Sequence, residues 1–331
     1  MRLRTFLYAV LTGALLAGCG GSSSAPTQSV ESLRAAIAKD FPKLDGSTTA
    51  RPLNRLVACD LLGVPCVWSA EASANVERAF VPDPAANIPA EAAKAVMNVN
   101  TTGTGVAYLN LVDGKADIII VARKPSADEL AAAKAKNVEF DLRPVALDGF
   151  VFLANVANPV DSLPLATIRD IYSGKITTWK QAGVTMSDPQ ALIHPYQRER
   201  NSGSQEQIQT TVMNGTPMID APDMIVLTML GPFNAIGGSA TTPGDTLGLG
   251  YTFYYYAGVM FANQKVKMIG LDGVVPSSAT ITSRAYPLTS DVYMVTRKGM
   301  PAGSTAIKLR DWLLSPDGQR VVKASGYVPL P

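Results

Sequence analysis

The sequence predicts an α/β fold of two lobes with mainly parallel sheets, and three observations carry that expectation. Apolar runs of strand length, such as residues 116–122 and 150–156, alternate with segments of helical periodicity. This is the pattern of strands buried on both faces and covered by helices. Three of the helical segments follow short runs of glycine and small hydroxyl residues. The chain of 331 residues, 47% hydrophobic and 17% charged, has enough apolar material for more than one core.

The N-terminus stands apart from that fold. Residues 1–4 (MRLR) are basic, 6–16 form an apolar run too short to span a bilayer, and Leu16, Ala17 and Gly18 precede Cys19. The segment resembles a bacterial lipoprotein signal with its LAGC lipobox. That resemblance implies cleavage of residues 1–18, lipidation of Cys19 and a bilayer-anchored place in the cell envelope. Residues 20–29 (GGSSSAPTQS) have the composition of a flexible tether, and 19–39 is assigned to lipidated cysteine and tether. Loss of Arg2 and Arg4 leaves basic and acidic residues balanced at 27 each. A near-neutral chain is not expected to bind nucleic acid, so any anion site must be local. Cys59 and Cys66 remain, and in an oxidising compartment they form a disulfide or persist as two buried thiols.

A short amphipathic helix is expected over 31–39. Gly46, Ser47, Thr48 and Thr49 then lead into a helix in which Pro52 suits the first turn, Leu53, Leu56, Val57 and Leu61 share a face, and Gly63 is the stop. The run TTGTG (101–105) precedes a second helix carrying Tyr108, Leu111 and Val112 on one face. After Gly114 comes the buried strand of 115–122, then an alanine-rich helix over 128–136 and a strand within 145–156. The third lead-in lies in 196–215 (YQRERNSGSQEQIQTTVMNG): Arg198 and Arg200, a turn over 201–204, a helix marked by Ile208 and Val212, and a stop at Asn214 and Gly215. Ser202 and Gln205 have capping-box spacing. Each such start offers unpaired backbone N–H groups, the positive end of a helix dipole and small hydroxyls, which together attract an anion. Singly, each is equally an ordinary capped surface helix. Three of them can share one ligand.

Other features point away from catalysis. No CxxC and no histidine cluster is present, so neither metal nor cofactor is expected. A Ser-His-Asp relay would have to use the lone His194, and SGS lacks the spacing of a nucleophile elbow. The glycines of 231–250 include no GxxxxGK[ST] and read as turns. Tyr254, Tyr255 and Tyr256, like Met224 and Met229, read as packing residues.

Five segments in order carry a further resemblance: LDGSTTARPL (44–53), TTGTG with GKADIIIVARKPSADE (101–105, 114–129), IRDIYSGKITTWKQAG (168–183), YQRERNSGS (196–204) and YPLTSDVYMVTRKG (286–299). Together they resemble the periplasmic phosphate-binding proteins of ABC importers. The resemblance implies a type 2 periplasmic binding protein fold, with lobe one over 40–150 plus 288–331 and lobe two over 151–287. Crossovers are expected near 147–155 and 286–295, with the ligand enclosed between lobes. It implies a substrate-binding lipoprotein that captures phosphate and delivers it to an ABC permease in the inner membrane, without catalysis. The ligand residues carried over are Ser47, Thr48, Thr104, Arg198, Ser202, Gly203 and Ser204, joined by Arg123. The departures are that Ala122 and Arg123 stand where the family has Ser-Asp, and Arg200 where an Asp pairs with the loop arginine. Arg123 is then either a second cleft guanidinium or a lobe-bridging ion-pair residue, and Glu199 or Asp45 substitutes as acceptor or arginine partner. Alternatives are a receptor for another oxyanion or a phosphorylated small molecule, an envelope sensor or docking lipoprotein, and an anion-activated hydrolase.

Overall fold

The computed structural model describes residues 30–71, 76–239, 241–261 and 263–331. The expected signal segment, Cys19 and the tether over 20–29 lie outside them. The assignment of 19–39 to a tether needs correction, because Val30–Lys39 is a helix. Its Leu33 and Ile37, one turn apart, are buried in the main core. The globular part therefore includes residues 30–39.

The strand Leu44–Gly46 pairs in parallel with Ile118–Val121, Leu44 opposite Ile118. All four residues of the latter are buried, as its unbroken apolar run demands. Helix Arg51–Leu62 has proline in its first turn and ends at Gly63 with φ 66°, a left-handed cap that glycine adopts without strain. Thr104–Val112 and Ala127–Ala135 complete this layer, the second opened by a reciprocal capping box between Ser126 and Glu129. Cys59 and Cys66 form a disulfide with a Cα–Cα distance of 6.2 Å. It ties Arg51–Leu62 to the hairpin of Cys66–Trp68 and Phe80–Pro82.

The strand Phe140–Asn155 connects the two lobes. Its first ten residues pair antiparallel with Thr289–Arg297, Phe140 opposite Arg297 and Gly149 opposite Thr289. From Phe150 on, its partners are Gly248–Phe253 and Val266–Leu271, again antiparallel. The exchange of partners at Gly149 and Phe150 marks where the strand leaves one sheet for the other. The sheets are mixed. Parallel pairs occur at Leu44–Gly46 with Ile118–Val121, Ser162–Leu163 with Val266–Leu271, His194–Pro195 with Gly248–Phe253, and Gln197–Arg198 with Ile225–Val226. The connecting strand pairs antiparallel with each of its neighbours, Thr289–Arg297 is antiparallel to Ile118–Val121 as well, and the hairpin of Cys66–Trp68 and Phe80–Pro82 adds a further antiparallel pair.

In the second lobe, Phe150, Phe152, Tyr172 and Tyr251 form an aromatic cluster with centroid separations of 5.5–6.5 Å. The glycine-rich stretch 231–250 is more ordered than the turns expected of it: Gly231–Gly237 is a helix with proline in its first turn. A Cβ on Gly244 would lie 2.4 Å from the Ile236 carbonyl, so close backbone approach explains that glycine. Tyr255 and Tyr256 are buried at the junction of the lobes. The Tyr255 hydroxyl donates to the Ser325 carbonyl at 2.6 Å, and Tyr256 donates to Glu77 at 3.0 Å.

Candidate anion-binding site

The first helix start is built around Gly46, where any Cβ would meet the Ile120 carbonyl at 2.3 Å. Ser47 caps the short turn Thr48–Ala50: its Oγ accepts the Ala50 N–H at 3.3 Å and shares a 2.9 Å hydrogen bond with Thr49. The second start is fastened to the first. Gly103, at φ 97°, donates its N–H to the Gly46 carbonyl at 3.1 Å. Asp45, 1% exposed, joins the two loops: Oδ1 accepts the N–H groups of Gly46 (2.7 Å) and Thr102 (2.9 Å), and Oδ2 accepts the Thr102 hydroxyl and the Asn110 amide, both at 2.8 Å. With both oxygens engaged, Asp45 is a structural clamp. The expectation that it serves as arginine partner or ligand acceptor is not met.

The third start comes from the second lobe. Ser202 caps Gly203–Gln207, its Oγ accepting the Gln205 N–H at 3.1 Å. The helix widens into a π-helical segment, Ile208–Met213, and stops at left-handed Asn214. The Gln205 side chain does not return the capping bond. Its Oε1 accepts the Arg198 N–H at 3.0 Å and the Tyr251 hydroxyl, which draws loop and strand together. The two lobes approach closely here: a Cβ on Gly203 would lie 2.8 Å from Thr104 Oγ1 and 4.0 Å from Arg123 Nε.

The two buried guanidinium groups differ in their surroundings. Arg123, 5% exposed, makes a bidentate ion pair with Glu129, with both N–O distances 2.8 Å. Of the two roles open to Arg123, a lobe bridge is ruled out, because Glu129 lies only six residues on in the same layer. Its Nε is buried without a partner. Arg198, 6% exposed, donates from Nε to the Val226 carbonyl (3.1 Å), from Nη2 to the Leu227 carbonyl (3.2 Å), and from Nη1 to Ser204 Oγ (3.4 Å) and Met229 Sδ (3.0 Å). Among the described residues no carboxylate lies within ion-pair distance of Arg198. Glu199, named as a candidate partner, instead accepts the Asn201 N–H at 3.2 Å. Burial lowers the Arg198 pKa, opposed by the neighbouring Tyr251 hydroxyl and Glu199. A guanidinium remains charged regardless, so the cleft holds a buried cation with no carboxylate at ion-pair distance among the described residues.

All eight candidate residues, Ser47, Thr48, Thr104, Arg123, Arg198, Ser202, Gly203 and Ser204, line one cavity of about 670 Å³. Ser47, Thr104 and Ser202, from three separate segments, thus face a common space. Sequence reasoning missed Thr49, Glu129, Met229 and Phe253 in that lining. Met229, read as core, does pack against the main core, and its sulfur in addition accepts from Arg198. The only advance signal for Glu129 was its capping-box spacing from Ser126. No glycine of 231–250 lines the cavity among the described residues. His194 Nδ1 pairs with Asp245 at 2.7 Å, and Asp245 also accepts the Tyr196 hydroxyl at 2.9 Å, so His194 is tied to the loop behind the site.

Known proteins give this geometry a lineage. The phosphate-binding protein PstS of Staphylococcus aureus (strain bovine RF122 / ET3-1) is 25% identical over 240 residues, covering 72% of this chain and 70% of that protein. A putative phosphate ABC transporter substrate-binding protein from Clostridium perfringens, solved with bound phosphate, matches at a TM-score of 0.60 and 21% identity, covering 87% of this chain and 98% of that one. An ABC-type phosphate transport receptor from Vibrio cholerae matches at 0.59 and 19%, covering 87% and 99%. At such identities the structural likenesses speak for the fold. A family model described as a PBP superfamily domain matches residues 79–317, well over half of the chain. The chain therefore belongs to the PBP superfamily domain family.

Proposed function

We propose that this chain is the substrate-binding lipoprotein of an ABC importer, capturing inorganic phosphate between its lobes and handing it to a permease in the inner membrane. The observation that carries the reading is Arg198: a buried guanidinium with no carboxylate at ion-pair distance among the described residues, facing a cavity into which three helix starts open. Such a cation is costly to keep in a protein unless an anion completes it. The proposed ligand set is Ser47, Thr48, Thr104, Arg123, Arg198, Ser202, Gly203 and Ser204. Short hydroxyls and glycine N–H groups pack around tetrahedral oxygens where longer side chains would collide. Hydrogen bonds to a charged group contribute about 1.5–3 kcal/mol each. Several together offset dehydration of the ion and leave the roughly 8 kcal/mol of micromolar binding.

The same proposal takes 40–150 with 288–331 as one lobe and 151–287 as the other, and hinge closure as the capture step. It takes Cys19 as the lipid attachment and the periplasm-facing envelope as the location. The relatives' names and the signal-like N-terminus support that placement. The function requires no covalent step. Calorimetric titration of the purified protein with phosphate, sulfate and small phosphonates tests it, and separates phosphate from other oxyanions and phosphorylated small molecules. Binding of phosphate is expected. Absence of heat and of thermal stabilisation with every oxyanion would leave a docking or sensing lipoprotein as the better reading.

A further inference from the structure

We propose that Glu77 is a positioning residue for anion capture: with Arg78 it forms a strap from the first lobe to the second, and the strap holds the cleft closed on a ligand that it never touches. The inference rests on the oxyanion-receptor reading and concerns how that receptor keeps its lobes together.

The strap springs from a braced support. Ser69 and Ala79 extend the hairpin of Cys66–Trp68 and Phe80–Pro82: the Ser69 N–H donates to the Ala79 carbonyl at 2.9 Å, and the Ala79 N–H donates to Ser69 Oγ at 3.1 Å. The disulfide at Cys66 and a 3.3 Å hydrogen bond from Arg55 Nη1 to the Phe80 carbonyl fasten this hairpin to helix Arg51–Leu62. Arg78 and Glu77 then reach the second lobe. Arg78 donates its N–H to the Met260 carbonyl at 3.0 Å and its Nε to the Val259 carbonyl at 2.7 Å, with its guanidinium carbon 4.3 Å from the Trp68 ring centroid. Glu77 Oε2 accepts the Tyr256 hydroxyl at 3.0 Å. These three hydrogen bonds run between the lobes and land on one π-helical segment, Tyr256–Met260.

The other oxygen of Glu77 ties this connection to both anion loops of the first lobe. Oε1 accepts Arg51 Nη1. Arg51 in turn donates its backbone N–H to the Thr48 carbonyl of the first loop, and its Nε to the Thr101 hydroxyl, where the second loop begins, at 3.1 Å. On the far side Tyr256 is fully buried, its ring centroid 5.8 Å from that of Phe233, and Phe253 three residues before it lines the cavity. Burial, and then the Glu77 carboxylate, push the Tyr256 pKa up, so its hydroxyl stays a donor. Arg51, Glu77, Arg78 and Tyr256 do not themselves line the cavity. They act on a bound anion through the position of the lobes: bonds made in the closed arrangement and lost in the open one raise the closed fraction, and apparent affinity scales with the fraction competent to bind. Glu77 is also a negative charge beside an anion site, and by charge alone its removal would tighten binding. The strap predicts the opposite sign.

Calorimetry and stopped-flow kinetics with inorganic phosphate measure that sign. Glu77→Gln should weaken phosphate binding about tenfold, the scale of one hydrogen bond to a charged group, chiefly through faster dissociation. Tyr256→Phe, which removes one hydroxyl and no charge, should weaken it about fivefold in the same way. Combined, the two changes should cost less than the product of the single losses, because both act on one bond. Tighter binding by Glu77→Gln would show that its charge alone matters, and a lowered melting temperature with affinity within about twofold of the parent in both variants would make Glu77 merely structural. Either result would overturn the inference and leave the receptor reading standing. An unaltered protein that binds no oxyanion would remove both. If Glu77→Gln fails to fold, Tyr256→Phe still decides, since it keeps the ring and every charge.

Discussion

Arg198 and Arg123 face one cavity from opposite lobes, nearly equally buried, yet one has a bidentate carboxylate and the other only carbonyls, a hydroxyl and a sulfur. A third buried charge sharpens the contrast. Asp148, in the connecting strand, also lacks a counter-ion among the described residues: Oδ1 accepts the N–H groups of Gly149 (2.8 Å) and Tyr255 (3.0 Å), while Oδ2 has no partner among them. Its pKa is pushed up to about 7 by burial, against those two backbone bonds. An acid can settle its own lack of a partner by taking a proton. A guanidinium cannot, and must meet an anion from outside. The comparison therefore separates a vacancy internal to the fold from one that points to a ligand.

Arg198 should give the largest effect. Arg198→Met removes the unpaired cation and is expected to cost at least about 100-fold in phosphate affinity, the scale of losing a charge-assisted hydrogen bond and the buried charge behind it. Folding stability should change little, because relief of the buried charge offsets the carbonyls left without a donor. Lysine should not restore binding, since its single ammonium cannot reproduce the fork that holds the Val226 and Leu227 carbonyls and aims the charge. Affinity within tenfold of the original would place the anion pole elsewhere.

Asp148 comes next, and its sign can be worked out. Below the ordinary aspartate value of 3.8 both folded and unfolded chains carry the proton. Between that value and about 7 the unfolded chain releases it while the folded chain keeps it, so stability falls as pH rises through this window. Above it the loss is constant. Asp148→Asn keeps an acceptor for Gly149 and Tyr255 without titrating. Urea unfolding of the variant and the parent should give nearly equal stabilities at about pH 4, and a gap of about 2–4 kcal/mol favouring the variant near pH 8. Phosphate affinity should not change, as Asp148 does not line the cavity. An equal gap at both pH values would show that Asp148 is not the titrating group.

The same contrast explains what was legible from residues alone. Capping chemistry is local: Ser202 and Gln205 stand three apart, and Gly103 sits beside Thr104, so the three helix starts followed from short spacings, while their convergence was implied only by the family resemblance. The surroundings of Arg198 did not. Its acceptors are the carbonyls of Val226 and Leu227, 28 and 29 residues away, and backbone oxygens carry no residue signature. Glu129 stands at capping spacing from Ser126, a signal not read from the sequence, and its pairing with Arg123 depends on that side chain curling back over the first turn of the helix. Asp45 was legible as an acidic residue beside the loop and illegible as a clamp, because Thr102 and Asn110 reach it from 57 and 65 residues on. In the connecting strand, apolar periodicity revealed the element and not its partners, which change at Gly149.

Gly203 offers the smallest expected effect and the most direct look at how the two arginine-bearing walls meet. Its backbone is ordinary helical, so a side chain there brings no intrinsic strain. The obstacle is the opposite lobe, where Thr104 Oγ1 would lie 2.8 Å and Thr104 Cβ 3.5 Å from a new methyl group. Gly203→Ala should therefore weaken phosphate binding about tenfold, the cost of about 1–2 kcal/mol for a modest overpacking contact. Paired with Thr104→Ala, which clears that space, the loss should be less than the sum of the two single losses, measured as a double-mutant cycle by calorimetry. Strict additivity would mean that the two walls do not close to this distance around the ligand, and that Arg123 and Arg198 do not grip it together.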